Sequence, residues 1–159
     1  DLQSGREVFR RKYFGIDPWE DTHFDYMLRE KCMDVVPKRE EYRILGVDVR
    51  CGAALLHFKN GFRALGLDNV TLSAFVQDSK YWVDLQTICD GDVFCLPLRD
   101  FAAALHGNVY DYIILGAPLY SYEGPQAMLD LMRDHLSVGG RVTGRVEKDG
   151  RVFVLERHA

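Results

Sequence analysis

The sequence predicts a three-layer α/β fold, in which a mostly parallel sheet lies between helices and ends in an antiparallel hairpin. Apolar, partly β-branched runs alternate with runs of helical periodicity, as in chains built from βαβ units. One run, Tyr110–Gly116, is almost wholly hydrophobic, which is typical of a strand buried on both faces. Two alternating segments, Arg141–Glu147 and Arg151–Arg157, flank a Lys-Asp-Gly turn and predict the hairpin.

The first βα unit is the most informative part of the chain. The run Tyr42–Val49 predicts a buried strand, and the small residues at 51–54 predict a tight turn after it. An apolar helix follows, with Leu55, Leu56, Phe58 and Phe62. Asp48 lies close to the end of the strand, where its carboxylate could accept hydrogen bonds from a ligand. The unit is therefore typical of a Rossmann-like nucleotide-binding fold.

The remaining elements follow from the same patterns. Further strands are predicted at Val70–Val76, Thr87–Cys89 and Tyr110–Gly116, and further helices at Asp78–Leu85, Leu98–Leu105 and Gly124–Leu136. Gly139 and Gly140 are expected to end the last of these helices, before a fifth strand. We expect five parallel strands with the first one central, because strands alternate with helices up to Val142.

Composition indicates one globular domain and excludes several functional classes. The chain has 159 residues, 47% of them hydrophobic, and a formal net charge of −4. The net negative charge argues against nucleic-acid binding, which usually needs a basic face, although Arg10-Arg11-Lys12 forms a local basic patch, and the sequence has no apolar run of membrane-spanning length. Four cysteines without a Cys-x-x-Cys pair predict free thiols, no metal site and a cytoplasmic protein.

The N-terminal part is expected to be an extension of the domain. Residues 1–21 are predicted to be this extension and residues 22–159 a single domain, which begins with a helix near Thr22 that Pro37 ends. The extension is too aromatic for a plain linker. We expect residues 13–19 to dock near the ligand edge or to form a homodimer interface.

Ligands of open α/β sheets bind beyond the carboxyl ends of the strands, where the strand order reverses. In the predicted topology four segments meet at that edge: 48–54, 76–78, 91–93 and 116–119.

These segments also carry a resemblance to a family. Val47–Ala54 reads Val-Asp-Val-Arg-Cys-Gly-Ala-Ala and resembles the Leu-Asp-Val-Gly-Cys-Gly-Thr-Gly motif of class I S-adenosylmethionine-dependent methyltransferases. Arg50 and Ala54 stand where that family has glycines. The resemblance implies a methyltransferase fold with S-adenosylmethionine as the cofactor and a degenerate cofactor loop.

Three further segments, which extend the resemblance over roughly residues 42–147, are similar to the family in order and spacing: Gly91–Leu98, Tyr110–Ile114 and Leu136–Val142. In the first of them the family's Asp hydrogen-bonds the adenine amino group, which implies that role for Asp92. The family also has an acidic residue after the second strand for the ribose hydroxyls. Gln77 is the matched position here, unless a one-residue shift brings Asp78 there.

The resemblance implies a cofactor site without catalytic side chains, because the cofactor carries the reactive group. The residues expected at this site are Asp48, Arg50, Cys51, Gly52, Gln77, Asp92, Val93 and Gly116. Arg50 is expected to obstruct the cofactor, and the alternative is that its guanidinium binds the cofactor carboxylate. Tyr120 and Tyr122 are expected at the mouth of the cleft.

Three functions remain open at this point. The first is an accessory or interaction module in which cofactor binding is weak or lost, with a protein partner or a second copy bound. The second is an active methyltransferase that acts on a small molecule or a carbohydrate. The third is a nucleotide-binding sensor that uses the same cleft.

Overall fold

A computed structural model describes residues 41–148 and 152–158. The predicted N-terminal extension, the helix near Thr22 and the docking of residues 13–19 lie outside these ranges, as does most of the predicted hairpin turn. None of the helices within these two ranges is both long and apolar enough to span a bilayer.

The described elements alternate along the chain as the sequence predicts. The strands are β1 (Tyr42–Val47), β2 (Val70–Val76), β3 (Val93–Cys95), β4 (Tyr110–Leu115), β5 (Leu136–Arg145) and β6 (Val152–Glu156). The helices are α1 (Ala53–Ala64), α2 (Trp82–Ile88), α3 (Phe101–Ala104) and α4 (Pro125–Arg133). Short 3₁₀ turns precede α2 and α3 and follow β4.

The six described strands form one sheet in the order β3-β2-β1-β4-β5-β6. All neighbouring pairs are parallel except β5 and β6, which are antiparallel, with Arg141 opposite Glu156 and Arg145 opposite Val152. The predicted central position of the first strand and the predicted C-terminal pairing are therefore confirmed. The strand order reverses between β1 and β4, so the ligand crevice of this fold lies beyond their carboxyl ends.

Two apolar clusters cover the two faces of the sheet and give the fold its three layers. On one face α1 and α2 pack against β1, β2 and β4, with Phe58, Phe62 and Leu85 fully buried. On the other face α3 and α4 supply Phe101, Met128 and Met132. Strand residues therefore alternate between two buried sides, which explains why these strands read as almost continuous hydrophobic runs.

Carboxylates join the strands at the amino edge of the sheet. Asp111 accepts a hydrogen bond from the backbone N–H of Arg43 at 2.9 Å and one from the Ser137 hydroxyl at 2.8 Å. Asp90 accepts one from the backbone N–H of Leu72 at 2.6 Å and pairs with Lys59 at 3.5 Å. These bonds satisfy polar groups where the ladder of backbone bonds begins.

Two predictions of secondary structure are wrong. The segment predicted as the third strand, Thr87–Cys89, belongs to the end of α2 and the residue after it, and the strand lies at Val93–Cys95 instead. Thr87 and Ile88 are β-branched, and such residues favour strands. Tertiary packing overrides that preference, since Ile88 packs against the α1 cluster.

The last helix is also shorter than predicted. It ends at Arg133 rather than Leu136, and Gly139 and Gly140 lie inside β5. Gly139 has φ 80°, which suits glycine, and the register of β5 against β4 shifts at this point. The two glycines thus shape an irregular strand and do not end a helix.

Candidate functional site

The loop between β1 and α1 has an unusual backbone. Asp48 and Arg50 have φ of 51° and 56°, and Gly52, the residue that caps α1, has φ 92°. Left-handed conformations at non-glycine residues cost about 1 kcal/mol each. The chain therefore forms a glycine-type turn at Arg50 although no glycine stands there.

The close approach of chain segments at the crevice explains the neighbouring glycines. A Cβ on Gly116 would lie 2.5 Å from the Cα of Val49 and nearer still to the carbonyl oxygen of Asp48. A Cβ on Gly52 would collide with Ile88. Gly116 donates a backbone hydrogen bond to Val47 at 2.8 Å, which ties the end of β4 to the end of β1.

The carboxylate of Asp48 is the centre of a hydrogen-bond network at this edge. Its Oδ1 accepts from the backbone N–H of Gln77 at 3.1 Å, and its Oδ2 accepts from Gln77 Nε2 at 3.0 Å. Tyr122 donates its hydroxyl to the same Oδ2 at 2.6 Å. The network links the residues that follow β1 and β2 to the segment that follows β4.

The Tyr122 side chain is half-buried, and this burial changes the pKa of its hydroxyl. Burial raises its pKa far above the usual range, and the negative charge of Asp48 and the hydrogen bond to it act in the same direction. The hydroxyl therefore keeps its proton and remains a donor at all ordinary pH values.

The amino end of α1 lies at the same edge because α1 follows β1 directly. Its capping residue, Gly52, provides no side-chain hydrogen bond, and the first turn contains no acidic residue. Exposed N–H groups and the helix dipole favour an anion at such a position.

The structure brings most of the predicted site residues together. Asp48, Arg50, Cys51 and Gly52 lie in the loop after β1, Gln77 follows β2, and Gly116 follows β4. Asp92 and Val93 lie apart from them, at the amino end of β3, where the carbonyl of Asp92 accepts from the N–H of Ala74. This displacement follows from the wrongly predicted third strand.

The register of β3 shows which residue stands beside Gln77 instead. Cys95 pairs with Val76, and the N–H of Leu96 donates to the carbonyl of Val76 at 3.0 Å. Leu96, which is 36% exposed, therefore lies at the carboxyl edge of the sheet, beside the end of β2. Cys95 and Leu96, three and four residues after Asp92, thus lie beside the end of β2, and a cofactor role for Asp92 stays a prediction.

Two hydrogen bonds near the crevice, those of Tyr122 and Arg145, were not predicted from the sequence. Tyr122 was expected at the cleft mouth, but its bond to Asp48 was not. Arg145, which is 3% exposed in β5, donates from Nη2 to the carbonyl of Gly116 at 3.2 Å. A charged residue in an alternating strand gives no sign that it points inward, so sequence pattern could not identify it.

The described cysteines are free thiols, and burial with the nearby charge of Asp90 raises the pKa of Cys89 to about 11. Such a thiol is a poor nucleophile at neutral pH. Among the residues in the two described ranges, no group of three or more His, Cys, Asp or Glu side chains could hold a metal ion.

No protein-family model and no curated protein matches the sequence. Solved structures do match the fold. A superposition on the CurJ carbon methyltransferase has a TM-score of 0.62 at 14% identity and covers 91% of this chain and 38% of that one. The plantazolicin methyltransferase BpumL, in complex with a triazolic desmethylPZN analog and S-adenosylhomocysteine, gives 0.60 at 14% identity over 87% of this chain and 50% of its own.

Coclaurine N-methyltransferase, bound to N-methylheliamine and S-adenosylhomocysteine, gives a TM-score of 0.55 at 16% identity, with 80% of this chain and 36% of that enzyme covered. The chain thus spans at most half of these three enzymes. Its fold is that of the class I S-adenosylmethionine-dependent methyltransferases, as the motifs in the sequence imply.

Proposed function

We propose that this chain is a methyltransferase-fold domain in which S-adenosylmethionine binding is weak or lost, and that it acts as an accessory or interaction module. The network around Asp48 is the observation that carries the proposal. Its carboxylate already accepts three hydrogen bonds from Gln77 and Tyr122. An ionised carboxylate offers about four acceptor sites, so little capacity remains for a ligand.

The residues after β2 add a second argument. Gln77 is neutral and donates to Asp48, whereas a carboxylate would be the stronger partner for two hydroxyl groups. Asp78, the alternative, accepts from the N–H of Lys80 at 2.9 Å and caps the 3₁₀ turn before α2. These two residues therefore offer weaker acceptors to the ribose hydroxyls than the acidic residue of the resembling family does.

Arg50 supplies the third argument. It stands in a left-handed turn, at the position where the resembling family has a glycine. A long side chain at that point would fill space that a cofactor needs.

An active methyltransferase for a small molecule or a carbohydrate is the second candidate. The uncapped amino end of α1 favours it, because this end suits the carboxylate of a bound cofactor. The cofactor would supply the methyl group, and Arg50 would then pair with the same carboxylate. A nucleotide sensor would use the same edge.

Calorimetric titration with S-adenosylmethionine, S-adenosylhomocysteine and ATP separates these functions. We expect dissociation constants in the millimolar range or no binding for all three. Micromolar binding of the first two would favour an enzyme, and micromolar binding of ATP alone would favour the sensor.

Replacement of Arg50 tests the cofactor loop. In Arg50→Gly and Arg50→Ala, S-adenosylmethionine should bind more tightly than in the wild type if the side chain obstructs the site. The pair is matched, because both variants remove the guanidinium and only the glycine relieves the positive φ. Unchanged or weaker binding in both variants would contradict obstruction and support pairing with the cofactor carboxylate.

A further inference from the structure

The segment of residues 116–122, which we term the strap, crosses the carboxyl edge of the sheet between β5 and β1. At its start the carbonyl of Gly116 accepts from Arg145. In its middle the N–H of Tyr120 donates to the carbonyl of Val146 at 3.1 Å, just beyond β5. At its end Tyr122 reaches Asp48, just beyond β1.

The anchors of the strap differ in kind. Those at Gly116 and Tyr120 involve backbone atoms next to regular strands. At Tyr122 the only polar anchor given by the structure is one hydrogen bond between two side chains, and the side chain also packs against the apolar cluster of α3 and α4. Rotation of the Asp48 or Tyr122 side chain can break that hydrogen bond. This bond is short, at 2.6 Å, and charge-assisted. The start of the strap is therefore fixed to β1 and β5, since the N–H of Gly116 also donates to the carbonyl of Val47 at 2.8 Å, and only its Tyr122 end is releasable.

The Tyr122 bond also decides what Asp48 can offer to a ligand. Oδ2 accepts from both Gln77 Nε2 and Tyr122, whereas Oδ1 accepts from the Gln77 backbone. A ligand with two adjacent donors, such as a diol or an ammonium group, requires acceptor sites on both oxygens. Such a ligand has to displace Tyr122 or Gln77 Nε2 from Oδ2, because both are side-chain donors and the backbone bond to Oδ1 cannot rotate away. Tyr122 is the donor that belongs to the strap.

We propose that Tyr122 is an autoinhibitory latch, which holds the strap on Asp48 and closes the switch-point crevice to ligands that present hydrogen-bond donors. The proposal rests on the proposed function, in that it assigns a cause to weak cofactor binding. It predicts that the site is closed by a reversible contact and that its capacity to bind is retained.

The test is the affinity of Tyr122→Phe for S-adenosylhomocysteine, measured by titration calorimetry against the wild type. The substitution keeps the ring and removes the hydroxyl. Loss of a competing bond to a charged group should tighten binding by roughly 10-fold or more. Tyr110→Phe is the matched control, since Tyr110 lies at the amino end of β4, on the opposite edge of the sheet, and its affinity should equal that of the wild type.

A second variant shows whether Asp48 is the partner through which Tyr122 acts. In an Asp48→Asn background, Tyr122→Phe should no longer change the affinity. Equal affinity of Tyr122→Phe and wild type would overturn the latch, and so would weaker binding in the variant. Tight binding by the wild type would contradict the proposed function, and the ratio of the two affinities would still decide the latch.

Hydrogen exchange of the wild-type chain gives a readout that needs no variant. With S-adenosylhomocysteine at millimolar concentration, the amides of residues 119–123 should exchange faster if the ligand releases the strap. Slower or unchanged exchange of these amides in the presence of bound ligand would overturn the proposal.

Discussion

The two edges of the sheet use the same chemical group in different ways. At the amino edge Asp111 accepts from the backbone of β1 and from Ser137 in β5, and it is only 9% exposed. At the carboxyl edge Asp48 accepts one backbone bond and two bonds from side chains on loops. The Asp111 carboxylate thus connects neighbouring strands of the sheet, whereas the Asp48 carboxylate connects loops that can separate.

The comparison indicates that the amino edge stabilises the fold and that the carboxyl edge can rearrange when a ligand binds. A backbone donor at the start of a strand has no alternative partner once it is buried, so its acceptor is difficult to replace. A side-chain donor at a half-exposed edge can turn to water. We therefore expect substitutions at the amino edge to affect folding most, and those at the carboxyl edge to affect ligand binding.

The largest expected effect is that of Asp111→Ala. The substitution leaves the N–H of Arg43 and the hydroxyl of Ser137 without this acceptor, and should lower the free energy of unfolding by about 3 kcal/mol. Asp48→Ala is the matched comparison and should cost about 1 kcal/mol, because water replaces its partners. Urea denaturation measures both, and equal losses would break the proposed contrast between the edges.

Gly116→Ala should have the next largest effect. The added Cβ would meet the backbone of Asp48 and Val49, which cannot move as a side chain can. We expect a loss of about 2 kcal/mol in the free energy of unfolding. Gly124→Ala is the control, since its Cβ would meet only the Ala127 side chain at 3.4 Å. If both variants melted at the wild-type temperature, Gly116 would be less closely packed against Asp48 and Val49 than the structure indicates.

The smallest effect concerns the dependence of stability on pH. The folded state raises the pKa of Tyr122 above its unfolded value near 10, so its contribution is fully present below pH 10 and is lost as pH rises further. By pH 11 the wild type should lose about 1 kcal/mol more than Tyr122→Phe. Denaturation of both proteins between pH 8 and pH 11 tests this, and parallel curves would show that Tyr122 ionises freely in the folded chain.

Hydrophobic periodicity was sufficient to predict most of the sheet. The run Val70–Val76 matches β2 in full, and β1 and β4 were predicted to within two residues at their ends. Strands buried on both faces have a strong apolar signal. The short β3 has only three half-buried residues, so its apolar signal was weaker than that of the Thr-Ile-Cys segment at the end of α2.

The candidate site was predicted in part for the same reason. Asp48, Gln77 and Gly116 follow well-defined strands, so their common edge follows from the topology. Asp92 lies before β3 and not after it, because the predicted boundary of the third strand was wrong. Whether any of these residues binds a cofactor stays a prediction.

The sequence by itself determined the alternation of strands and helices and the meeting of loops at one edge. Local periodicity sets the elements, and βαβ crossovers make consecutive strands parallel, so that their carboxyl ends share one edge. Only the tertiary structure decided which donors occupy Asp48. Tyr122 lies 74 positions from Asp48 in sequence, and their contact depends on how the strap is held by β5. A sequence pattern within one segment does not show that two residues so far apart along the chain are in contact.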